Sequence, residues 1–155
     1  MKAFFQATGL AIAVSFSAMA VADTATGKDI TPERVFAFND AMPTGVTVTE
    51  TGRIFINFPR WGDEVPYTVA EIKQGHLVPY PDLKTNVENA KDPAAGFISV
   101  QSVVADGRGR VWVLDTAAPA FSEPKAGGAK LVAIDLTTNK IVKTVVFPRE
   151  VILPT

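Results

Sequence analysis

After residue 34 the chain alternates short apolar or β-branched runs with turn-forming residues, the pattern of strands. Val35-Phe36-Ala37-Phe38 is a short strand candidate stopped by Asn39-Asp40. Val46 to Thr49 and Arg53 to Phe58 flank Glu50-Thr51-Gly52 and make a hairpin that Pro59 stops. Tyr67 to Lys73 and His76 to Tyr80 flank Gln74-Gly75, where the glycine can take positive φ. The series then recurs. Val100 to Ala105 and Arg110 to Asp115 surround Asp106-Gly107-Arg108-Gly109, and a loop from Thr116 to Gly128 follows. Lys130 to Leu136 and Ile141 to Phe147 are joined by Thr137-Thr138-Asn139-Lys140. Laying Gly52-Arg53-Ile54-Phe55-Ile56 over Gly109-Arg110-Val111-Trp112-Val113 takes a shift of 57 residues.

Two units of four short antiparallel strands at a fixed spacing are the mark of radially repeated sheets. A four-stranded sheet that is apolar on both faces must pack against another, so such a series is stable when it closes into a ring or is capped. Propellers ordinarily use about 4 to 8 blades. The expected fold is therefore all-β: a partial β-propeller of about two four-stranded antiparallel blades, close to the first third of a six-bladed ring. The apolar run from Phe147 to Thr155 fits a connection toward a third blade. A small complete β-sandwich or a partial barrel is the competing architecture.

The leading residues change the picture of where the chain works. Lys2 precedes an apolar run that ends in Ala18-Met19-Ala20 and Ala20-Val21-Ala22, two overlapping small-x-small patterns before Asp23. Residues 1–22 read as a secretory signal cut after Ala22, with a retained anchor as the alternative. The expected product is secreted or periplasmic and has no stable membrane association. Residues 23–34 read as a linker, 35–98 as a leading strand, first blade and interblade loop, and 99–155 as the second blade and the start of a further connection.

Composition narrows the chemistry. Of 155 residues 47% are hydrophobic and 20% charged, values ordinary for a globular chain. Without Lys2, 14 basic residues face 16 acidic ones, so no strongly basic surface awaits nucleic acid. Zero cysteines remove disulfides, thiolate nucleophiles, iron–sulfur clusters and cysteine-rich zinc sites. His76 is the only histidine and sits beside a turn glycine, which argues against a histidine triad or a multi-imidazole metal site. Gly107-x-Gly109 and Gly127-Gly128 precede strands, so neither is a phosphate-cradling loop.

The loops leaving Phe58 and Asp115 should share one end of the sheets, opposite the tight turns, and long loops on a rigid scaffold are where a ligand rim is expected. Arg60-Trp61 is the most suggestive pair there, offering directional donors and a stacking surface to an aromatic or amine ligand. The alternative is that Trp61 packs between blades and Arg60 pairs with Asp63 or Glu64. Asn57 and Asp115, at the ends of their strands, could offer oxygens to Ca²⁺ or could accept backbone N–H groups where strand gives way to loop. Gln101 is a candidate channel liner or a partner within its sheet. Asp106 and Asp135 are turn residues.

Several ordered motifs carry a family resemblance. Thr44-Gly45-Val46, Gly52 to Trp61, Val65 to Glu71 and Leu77 to Pro81 resemble the first blade of the major royal jelly protein and yellow family. Phe97 to Val103, Gly109 to Thr116, Lys130 to Leu136 and Phe147-Pro148 are similar to its second blade. The resemblance spans about residues 35–155. It implies a secreted six-bladed propeller with a central channel, in a family whose insect members include pigmentation, nutritional and amine-binding proteins. It also implies that the chain is a truncated, bacterial-type member lacking most of the channel wall. The expected function is small-molecule binding, with an aromatic or amine ligand. The alternatives are an enzyme of lactone-hydrolase or catechol-isomerising type that needs the missing blades, or a fragment without independent function. No cofactor is expected, Ca²⁺ entering only in a full-length protein, and the isolated chain is expected to self-associate.

Overall fold

A computed structural model describes residues 31–152. The expected signal at 1–22 and most of the linker at 23–34 lie outside the described residues. Arg34–Thr155 form one compact unit. It holds eight strands: β1 (Gly45–Val48), β2 (Ile54–Asn57), β3 (Val69–Lys73), β4 (His76–Pro79), β5 (Val100–Ala105), β6 (Arg110–Asp115), β7 (Lys130–Asp135) and β8 (Lys140–Val146). They make two four-stranded sheets, β1-β2-β3-β4 and β5-β6-β7-β8, with every neighbour antiparallel. Among the described residues helix is confined to 3-10 turns at Pro119–Phe121 and Arg149–Val151.

The turns explain why each chain segment reverses where it does. Gly52 and Gly109 hold φ of 82° and 80°, so the two hairpins 57 residues apart turn on the same left-handed glycine. Gln74 and Gly75 both take positive φ, 50° and 77°, as a tight β3–β4 hairpin requires.

Strand alternation then decides what is buried. In β6, Val111, Val113 and Asp115 are buried while Arg110, Trp112 and Leu114 are half-buried. The buried set meets the first sheet: Phe55, Val69 and Tyr80 pack with Val103, Val111, Val113, Val132 and Ile134 in the main core. The second sheet's leading strand, β5, lies against β1 and β2 of the first. Successive meander sheets packed face to face in chain order, with their first strands together, are neighbouring blades of a propeller. The chain is thus all-β, a partial β-propeller of two four-stranded blades.

Polar bonds lock one blade to the next. Asn57 Nδ2 donates to Val100 O at 2.9 Å, Val100 N to Thr68 Oγ1 at 3.0 Å, and Ala105 N to Thr47 Oγ1 at 2.9 Å. At the tight-turn end, Arg53 grips Glu71 through Nε–Oε1 at 2.7 Å and Nη2–Oε2 at 2.9 Å, and also donates to Leu136 O and Asn139 Oδ1 of the second blade. Burial works to raise the Glu71 carboxyl, but bonds from Arg53 and Lys73 outweigh it and hold it below its ordinary value.

Val35 to Phe38, expected as a strand, forms no ladder. Its aromatic rings lie instead on the first sheet's outer face, with Phe38 packed on the cluster of Ile56, Phe58 and Ala70. The apolar alternation that suggested a strand serves ring packing without a hydrogen-bonding partner.

Candidate functional site

The end of the sheets opposite the tight turns gathers three loops: 59–66 after β2, 81–96 between the blades, and 116–129 after β6. Arg60 stands at their junction. Its Nη1 donates to Ile98 O at 2.5 Å and Phe97 O at 3.3 Å, its Nη2 to Asn86 O at 2.9 Å, and its N–H to Ser99 Oγ at 3.2 Å. Its carbonyl accepts from Ala120 N at 2.7 Å, which joins the first and third loops. Burial pushes the guanidinium below its ordinary value, opposed by the charges of Asp115 and Glu88. These bonds bind Arg60 to main-chain carbonyls, not to Asp63 or Glu64. Asp63 accepts from Met42 N at 2.9 Å.

Trp61 is half-buried and stacks on Phe121, with ring centroids 4.7 Å apart and planes 26° apart. Phe121 is 64% exposed. The backbone that carries it is unusual, since Ala117, Ala120 and Phe121 take φ of 54°, 52° and 56° without being glycine. Such conformations cost about 1–3 kcal/mol each and persist only where the surroundings impose them. Here the Ala120–Arg60 bond and Lys125 N to Ala117 O at 2.9 Å supply that constraint. The outcome is a pair of aromatic faces, one from each blade, at the loop end.

Asp115 is fully buried, and four groups reach its carboxylate. Oδ1 accepts from Ser99 N and Ala117 N, each at 2.9 Å, while Oδ2 accepts from Ile98 N at 2.8 Å and Lys130 Nζ at 2.9 Å. Lys130, 1% exposed, also donates toward the carbonyls of Gly96 at 2.8 Å, Gly128 at 3.0 Å and Pro93 at 3.1 Å. A carboxylate already neutralised by an ammonium and filled by backbone donors does not fit a Ca²⁺ site. Asn57 is buried as well. Its Nδ2 bonds Thr44 Oγ1 at 2.8 Å in addition to Val100 O, and its Oδ1 has no partner among the described residues. No group of three or more His, Cys, Asp or Glu able to hold a metal occurs among the described residues.

Gln101 is exposed beside the β5 irregularity between Val100 and Ser102, and its carbonyl accepts from Thr44 Oγ1 at 3.2 Å. His76 is exposed at the start of β4. This loop end holds Arg60 and Trp61, with Asp115 buried and bonded to Ile98, Ser99, Ala117 and Lys130.

Three residues that complete this end were not singled out from sequence: Phe121, Lys130 and Asn86. Asn86 Oδ1 accepts from Thr68 N at 3.0 Å and Val69 N at 2.8 Å, fastening the interblade loop to β3. Lys130 carried a usable signal, because it shares parity with Val132 and Ile134, the inward face of β7. Phe121 carried only its position in a proline-marked loop.

Comparison with known proteins agrees with this architecture. The Major royal jelly protein family model matches residues 98–154. The protein yellow of Drosophila madeirensis is 32% identical over 129 residues, covering 75% of this chain and 22% of the relative. That of Drosophila guanche is 31% identical over 129 residues, with the same coverage of 75% and 22%. That of Drosophila subobscura is 37% identical over 95 residues, covering 54% of this chain and 16% of the relative. The chain spans about a fifth of the length of these curated relatives. Blade order, the paired left-handed turn glycines and these similarities lead to one assignment: the chain belongs to the major royal jelly protein and yellow family.

Proposed function

We propose that this protein is an exported small-molecule binding protein of royal jelly and yellow type, and that its loop end takes a planar aromatic ligand. The carrying observation is the Trp61–Phe121 stack, in which Phe121 stands on left-handed backbone and the two rings come from loops of different blades. Exposed aromatic faces fixed by a rigid scaffold lose little conformational freedom on binding and offer large contact areas. Arg60 serves as the positioning residue. Its bonds to Phe97, Ile98 and Asn86 carbonyls fix the loop on which Trp61 stands. Export rests on the signal pattern in residues 1–22, and no helix among the described residues is long and apolar enough to cross a membrane.

Calorimetric titration with p-cresol, a neutral planar probe, tests this reading. Trp61→Ala is expected to weaken binding by at least about 1 kcal/mol, the scale of an aromatic contact, with an unchanged melting curve. Equal affinity in the variant and the parent overturns it, as does a parent protein that does not bind.

A further inference from the structure

Each blade has a face turned away from the other, and the 57-residue repeat identifies both. Toward the shared core the second blade offers Val103, Ala105, Val111 and Val113. A shift of 57 residues places Val46, Val48, Ile54 and Ile56 at the same positions of the first blade. The registers agree: Val46 pairs with Ile56 and Val48 with Ile54, as Val103 pairs with Val113 and Ala105 with Val111. In the first blade, however, this side turns away from the second. Val46 and Val48 are 64% and 59% exposed, and with Ile54, Ile56 and Ile72 they line an apolar groove of about 490 Å³ bordered by the segment before β1.

The converse holds for the second blade. The first blade meets it with Thr47 and with Phe55, whose ring centroid lies 4.9 Å from the Arg53 guanidinium. Their counterparts are Val104, Trp112 and Arg110, and the Arg110 guanidinium lies 5.5 Å from the Trp112 centroid. Val104 is 55% exposed and pairs with Trp112 as Thr47 pairs with Phe55, while Leu114 and Leu131 pair beside them on the same face. Where the internal seam carries Thr47, Asn57 and Glu71, this free face carries Val104, Leu114 and Ala133 at the matching register positions. Polar locks are thus replaced by apolar side chains, which suit burial against another apolar face.

One chain therefore carries both halves of its own blade seam a second time, unjoined. We infer that a second copy of the chain joins them: Val104, Trp112, Leu114 and Leu131 of one copy pack on Val46, Val48, Ile54 and Ile72 of the next, repeating the internal seam. A head-to-tail contact of this kind closes into a ring if its rotation returns to the start. The rotation here is the one between neighbouring blades, which closes at about 4 to 8 blades, so the assembly is a ring of about two to four copies. The seam also sets the register. Ala105 N donates to Thr47 Oγ1 at 2.9 Å within the chain, and the 57-residue shift carries that pair onto Val48 of one copy beside Val104 of another.

Sedimentation velocity of the full chain at micromolar concentration should show a discrete species of about two to four copies. Val46→Glu and Val104→Glu change exposed positions on the two faces, and each should give a folded monomer, which circular dichroism checks. Mixed in equal amounts they should form a dimer, because the first keeps an intact second-blade face and the second an intact first-blade face. Cross-linking tests the register without relying on those variants. The chain has no cysteine, so the double variant Val48→Cys with Val104→Cys should link copies on oxidation while neither single variant does. Trp61→Ala should leave assembly unchanged, so failure here and failure of the rim are told apart. A parent that stays monomeric overturns the proposal and leaves both faces to other partners. A disulfide in either single variant, a double variant that does not link, or a mixture of folded glutamate variants that stays monomeric overturns it as well.

Discussion

Lys130 shows how a single residue can commit a loop end to one arrangement. Its ammonium is removed from water and meets Asp115 at 2.9 Å with three carbonyls around it. A buried ion pair is not inherently stabilising, because desolvation of both charges offsets their attraction. Breaking one is costly all the same, since the remaining charge stays buried and unpaired. Lys130→Met should therefore destabilise the fold by about 3–5 kcal/mol, read as a lower midpoint in urea denaturation. A change below about 1 kcal/mol would mean that water reaches Asp115 and that the pair does not hold the 81–96 and 116–129 loops. The residue scale is also where sequence reading reached least far. Arg60 was legible as an unusual residue, yet its partners are main-chain carbonyls of Phe97, Ile98 and Asn86, which no side-chain pattern announces. Asp115 looked like a possible metal ligand because a strand-end carboxylate and a buried ion-pair partner look alike until Lys130 is placed opposite.

At the scale of elements, the hairpins were readable because turn chemistry is local. Left-handed φ at Gly52, Gly75 and Gly109 fixes where strands reverse, and alternation fixes which face is buried. Val35 to Phe38 defeated that logic, for its apolar residues satisfy a packing demand from Phe58 and not a ladder. The β2–β3 pair carries an electrostatic consequence. Glu71 opposes Phe55 in the register and is held by Arg53 and Lys73, and Arg53 in turn lies 4.9 Å from the Phe55 ring centroid. Its carboxyl sits below its ordinary value of 4.5 in the folded chain. Asp106, held by the N–H groups of Arg108 and Arg110 and by the Trp112 and Arg110 side chains, is also lowered, to about 2 against an ordinary 3.8. Depressed folded values mean that the unfolded chain binds protons more readily. The stabilisation is complete above about pH 5 and is lost as pH falls through the carboxylate range toward pH 2. Urea midpoints should fall steadily across that interval, and the fall should be shallower in Glu71→Gln. A midpoint independent of pH there would contradict the bonding described for both carboxylates.

At the scale of the described residues as a whole, two blades share a core built from Phe55, Val69 and Tyr80 on one side and Val103, Val111, Val113, Val132 and Ile134 on the other. Two equal sheets were legible from the 57-residue shift, because repeated hairpins at one spacing suggest repeated sheets whose apolar faces must be covered, but a sandwich or partial barrel stayed open until β5 was placed against β1 and β2. The loop end was legible only as a region: long loops could be assigned to one end, but the stacking of Trp61 on Phe121 requires 116–129 to fold across the blade boundary. The proposed site therefore depends on contacts made after the blades have formed. The central claim is that the Trp61–Phe121 end receives a planar aromatic ligand. Backbone amide chemical-shift mapping during a p-cresol titration tests it most directly. Saturable shifts concentrated in residues 59–62 and 117–122 are predicted, and shifts absent from those loops or centred elsewhere on the blades would contradict it.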